Sequence, residues 1–186
     1  MEYTDLNGEI IPLIGGVSDP SIVRNVRNVA IDFAKRTKLI THEVELVVGD
    51  QLVDITPANV EERVFSVNWI KDGDTPLPVI GGLLANGTYR VRFDDPIPPG
   101  TRLTAQYTAI PTRDSTTCDD RIMDTWYETI VAGALSNLYG MKTATWFDPA
   151  MAESYSANYA QGIFDATINE RNDDTRTTKY MAYGGI

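Results

Sequence analysis

The stretch "GALSNLYGMKTATWFDPAMAESY", Gly133 to Tyr155, decides how the C-terminal half is organised. A helical apolar pattern stops at Gly140, a residue suited to end a helix. A short link follows, with Trp146 and Phe147 side by side, and Asp148-Pro149 then opens another helical pattern. Two large aromatics in so short a connection either plug the end of a helical pair or face another chain.

Upstream of the link, residues 116–139 carry Ile122, Met123, Trp126, Ile130, Ala134, Leu135 and Leu138 as one stripe at helical spacing. Downstream, Ala152, Tyr155, Tyr159, Ile163, Phe164, Ala166 and Ile168 continue along a second helix. The final "NDDTRTTKYMAYGGI" loses the pattern and reads as an extended tail over 174–186. Near the other end, "SDPSIVRNVRNVAIDFAKRT" reads as a helix. Ser18 or Asp19 is placed to cap it, Pro20 suits its first turn, and Lys35, Arg36 and Lys38 complement the dipole at its C-terminal end. Residues 1–19 read as an extended arm or loop, broken by Pro12 and Gly15-Gly16.

Between these helices, from about Thr41 to Ile110, the period changes from 3.6 to 2. Val44, Leu46 and Val48 alternate with Glu43 and Glu45; Tyr89, Val91 and Phe93 alternate with Arg90 and Arg92; Leu103, Ala105, Tyr107 and Ala109 alternate with polar residues. Asp72-Gly73 is a hairpin signal. Five or six short strands predict a small antiparallel sheet or sandwich. The outer segments are each too small to bury a core alone. The expected fold is therefore α+β: a helical bundle from the N-terminal helix and two long C-terminal helices, over 1–40 and 111–173, with an antiparallel β lobe inserted at 41–110. Val26, Phe33, Trp126 and Ile130 are its expected shared core.

Composition excludes several functions. The net charge of −10 argues against gripping nucleic acid through its phosphates and suits a wall that DNA slides past. The single cysteine, Cys118, has no cysteine partner for a disulfide or a zinc site. No apolar run reaches the roughly 20 residues of a membrane span. The acidic, polar start "MEYTDLNGEI" is not a secretory signal, so the product is expected to be made in the cytoplasm.

Catalytic signals are equally thin. His42, the one histidine, lies at the helix-to-strand junction with no hydrolase, Walker or zinc-protease motif around it. Asp94-Asp95, Asp119-Asp120 and Asp173-Asp174 are adjacent acids, which point apart on a strand or helix rather than together as a glycosidase pair does. No enzyme, metal or cofactor is expected.

The combination of signatures resembles the head-to-tail adaptor proteins of tailed bacteriophages. Its carriers are "IPLIGGVSDPSIVRNVRNVAIDFAKRT", "WIKDGDTPLPVI", "FDDPIPPGTRLTAQYTAIPT" and "ETIVAGALSNLYGMKTATWFDPAMAESYSANYAQGI", in the family's order over roughly residues 11–170. The chain departs from commoner members in lacking their Arg-rich last helix, with only Arg171, Arg176 and Lys179 beyond Gly162. The resemblance implies a virion structural protein made in the host cytoplasm and placed at the head–tail interface. It implies a homo-oligomeric ring, on the order of twelve copies, that joins the portal protein to tail or nozzle proteins and extends the channel for DNA ejection. It implies no catalytic residues. Under it, Trp146 and Phe147 become candidates for a subunit or portal contact, and close helix approach is expected at Gly133-Ala134 and Gly162. Tyr180, Met181, Tyr183 and Ile186, at near-alternate spacing, become candidate portal-docking anchors. The competing readings are a ligand- or glycan-binding β module on a helical stalk, another neck or tail-completion protein, and an enzyme using His42 or a carboxylate pair.

Overall fold

In a computed structural model, residues 1–49, 52–85 and 88–181 are described, with side chains except at 80, 83, 85 and 170–181. The chain divides into two units, Met1–Leu39 with Thr116–Ile186, and Ile40–Ser115. The class is α+β, with five α-helices and two antiparallel sheets among the described residues.

The first unit is helical. A 3-10 turn at Tyr3–Leu6 runs into α1 (Asn7–Ile10), followed by α2 (Asp19–Thr37), α3 (Asp120–Met123), α4 (Tyr127–Tyr139) and α5 (Pro149–Met181). α4 is its buried centre: Ile130 to Leu135 and Leu138 are all buried, so its sides face neighbours rather than water. α2 contributes Ile22, Val26, Val29, Ala30, Phe33 and Ala34. α5 is polar around most of its circumference and buries only Gly162 and Ala166 among its described side chains. Asp148 caps it, its Oδ1 accepting from the backbone N–H groups of Ala150 at 3.0 Å and Met151 at 3.1 Å.

The expectation of a helical bundle with two long C-terminal helices is overturned. The first of the two is divided into α3, of four residues, and α4, of thirteen. Trp126, between them, has φ −119° and ψ 17°, outside helical geometry. The break is invisible to periodicity because Trp126 keeps its place in the apolar stripe, and its own backbone bridges the two helices: Trp126 N–H donates to Ile122 O (2.8 Å) and Ile130 N–H to Trp126 O (3.0 Å). The extended N-terminal arm is also replaced. Tyr3, Leu6, Ile10 and Ile14 are all buried, on the short helices and the turn after them. At the other end, α5 carries helical backbone through Met181, so 174–181 is not extended tail.

The second unit holds two antiparallel sheets: β1 (Thr41–Val47), β7 (Arg102–Pro111), β3 (Glu62–Asp72) and β4 (Thr75–Pro76) in that order, and β2 (Leu52–Ile55), β6 (Thr88–Phe93) and β5 (Val79–Ala85) in the other. Gly73, at φ 56°, makes the tight turn between β3 and β4 that an L side chain would strain. β7 is flanked on both edges by β1 and β3, and this central position buries Thr108, which alternation alone would place outside. Its hydroxyl donates to Asn68 Oδ1 at 3.0 Å, so the buried polar group is satisfied.

Candidate subunit interface

The link between α4 and α5 gives its two aromatics different roles. Trp146 is half-buried and its indole N–H donates to the Leu138 carbonyl at 3.1 Å, adding to the bond that this helix-end carbonyl accepts from Met141 N–H at 3.2 Å. Asp148 N–H bonds to Tyr139 O at 3.0 Å, which pins the far end of the link to the same helix terminus. Phe147 takes no part in this and is 40% exposed. The sequence pairs the two residues; the structure brings Trp146 into the helix end and leaves Phe147 outward.

Below the link, α4 and α5 approach closely. A Cβ placed on Gly133 would lie 2.5 Å from Val29 Cγ1 and 2.9 Å from Tyr159 Cδ2, and one on Gly162 would lie 2.2 Å from Thr129 Oγ1. Hydrogen at these positions sets the helix spacing. Tyr139 and Tyr155 stack across the pair, with ring centres 5.9 Å apart and planes 2° from parallel. Further along, Tyr159 donates its hydroxyl hydrogen to Asp32 Oδ2 at 2.9 Å, and Arg36 Nε lies 3.0 Å from the same oxygen. Burial, and then the Asp32 carboxylate, push the Tyr159 hydroxyl well above the ordinary tyrosine range.

Of the expected core, Val26, Phe33 and Ile130 are fully buried, while Trp126 is half-buried with its ring tilted 42° against Phe33 at 6.0 Å. Of the candidate anchors, Tyr183 and Ile186 lie outside the described residues, and Tyr180 and Met181 are described as helical backbone alone. The outer face of α5 carries apolar side chains in the open, Phe164 at 59% and Ile168 at 38% exposed, one helical turn apart.

His42 and Asp119, two of the groups weighed for catalysis, are each engaged. His42 Nε2 lies 2.8 Å from Oε2 of the buried Glu62. Asp119 caps α3 and binds Arg121 at 2.9 Å. Cys118 is buried, and Asp94 and Asp95 are exposed. Among the described residues no helix is long and apolar enough to cross a membrane. No family model and no curated protein matches the chain.

The sequence reading missed the Tyr159–Asp32–Arg36 group. Its local half was visible as an aspartate and an arginine four apart on one helix face. The tyrosine that joins them comes from α5, 127 residues away, where no spacing rule reaches.

Proposed function

We propose that this chain is the subunit of a homo-oligomeric adaptor ring between the portal and the tail of a tailed bacteriophage. The observation that carries this reading is the ordered set of adaptor-like sequence signatures over residues 11–170. Three structural features are compatible with it. The helical unit is interrupted in sequence by an all-β unit. Gly133 and Gly162 lie at close helix crossings. Phe147, Phe164 and Ile168 are partly exposed in a single copy, available for contact with others. The portal supplies the template, tail proteins bind the far side, and DNA passes through the lumen of an acidic protein without being gripped.

The test is assembly. Purified chain mixed with purified portal should co-migrate on size exclusion and give a ring by negative-stain microscopy, on the order of twelve copies by family analogy. A chain that stays monomeric and indifferent to portal would falsify the adaptor reading.

A further inference from the structure

The helical unit has a groove of about 520 Å³ between the N-terminal segment, α4 and α5. Its floor is apolar, formed by Val131, Ala132 and Leu135, each less than a tenth exposed. Tyr127 and Tyr155 form its aromatic walls. Three carboxylates, Glu9, Glu128 and Asp165, stand on its exposed rim, and no lysine or arginine is among the residues that line it. Glu128 first, then burial and Glu9, push the Tyr127 hydroxyl above the ordinary tyrosine range. A groove with an apolar floor and an acidic rim fits a segment that offers apolar side chains beside cations.

This chain contains such a segment. From Thr175 to Ile186 there is no acid, two cations, Arg176 and Lys179, and the apolar side chains of Tyr180, Met181, Tyr183 and Ile186. Its own groove is out of its reach. α5 runs from beside the groove at Asp165 to Met181, about 24 Å of helix at 1.5 Å per residue. Residues 182–186, fully extended, span only about 18 Å.

We infer, on the reading of the chain as a ring subunit, that this groove seats residues 176–186 of a second copy. Arg176 and Lys179 pair with the rim carboxylates, and the four apolar side chains cover the floor. The anchors that the sequence directs to the portal are then used between copies. A groove on one copy and a tail from the next make a heterologous contact, the kind that closes a ring when its rotation is right.

A fluorescein-labelled synthetic peptide of residues 175–186 tests this by anisotropy against the full chain, diluted until monomeric by sedimentation. Saturable binding is expected, weakened at least tenfold when Glu9→Gln, Glu128→Gln and Asp165→Asn are combined, and weakened by raising salt. The same loss is expected from the peptide side with Arg176→Glu and Lys179→Glu, where folding of the protein is not at stake. Absence of binding, or equal binding by wild type, the triple variant and the charge-reversed peptide, overturns the seat. A ring on the portal without peptide binding rejects the tail seat and leaves the ring reading standing. Peptide binding without any ring on the portal supports the seat and removes the ring reading.

Discussion

Thr129 of α4 lies directly against Gly162 of α5, so close that a methyl group at 162 would meet Thr129 Oγ1 at 2.2 Å and Cγ2 at 2.4 Å. Gly162→Ala gains about 1 kcal/mol of helix propensity but must push the helices apart, at a cost of about 1–3 kcal/mol. A net loss of about 1 kcal/mol is expected, and more for Gly162→Val. Adding Thr129→Ala should recover part of it, because the two nearest clashing atoms are then gone. Urea melts of the two single variants and the double variant check this, and strictly additive effects would mean that the two residues are not in contact.

The Tyr159–Asp32 hydrogen bond makes stability fall on the alkaline side. The folded-state pKa of Tyr159 is raised, by burial first and by Asp32 second. Its contribution is therefore complete below the unfolded tyrosine pKa of about 10 and is lost as pH rises above it, where the unfolded chain gives up a proton that the native state keeps. Tyr159→Phe should lower stability by about 1 kcal/mol at pH 8. The gap between wild type and variant should narrow between pH 9 and 11.5 in urea melts. A gap that stays constant would place the hydroxyl in water.

The amphipathic helix at 19–37 and the alternating strands are legible because each side chain's environment follows from its own period: Leu46, Val91, Phe93 and Leu103 are buried where alternation puts them. The N-terminal segment misleads for a local reason. Its breakers, Pro12 and Gly15-Gly16, dominate a visual reading, yet Tyr3, Leu6, Ile10 and Ile14 recur at intervals of three, four and four, a helical spacing that points to their common burial. The division between α3 and α4 is unreadable in principle from apolar period, since Trp126 leaves helical dihedrals without leaving the stripe. The groove is invisible for another reason. Glu9, Glu128 and Asp165 belong to three segments and share no motif, so only tertiary packing brings them together.

Phe33 is fully buried on α2 and rests against Trp126. Phe33→Ala should destabilise the protein by about 3–5 kcal/mol, the range for emptying an aromatic site in a packed core. Val26→Ala should cost less, because fewer atoms are removed. Chemical denaturation followed by circular dichroism gives both values, and a Phe33→Ala loss below about 1 kcal/mol would mean that the site collapses around the deletion.

Trp146 and Phe147 should separate stability from assembly. Trp146 gives its N–H to Leu138 O and is half-buried, so Trp146→Phe removes a helix-end hydrogen bond and should lower stability by about 1 kcal/mol. Phe147 is two-fifths exposed in the single chain, so Phe147→Ala should change stability by no more than about 0.5 kcal/mol. On the adaptor reading, the second variant is the one that weakens ring formation on the portal. Melting temperatures and size-exclusion profiles with portal, measured on both variants, distinguish the outcomes. If Phe147→Ala assembles as the wild type does while melting normally, Phe147 is an incidental surface aromatic, and the contact between subunits must be sought on the outer face of α5 around Phe164 and Ile168.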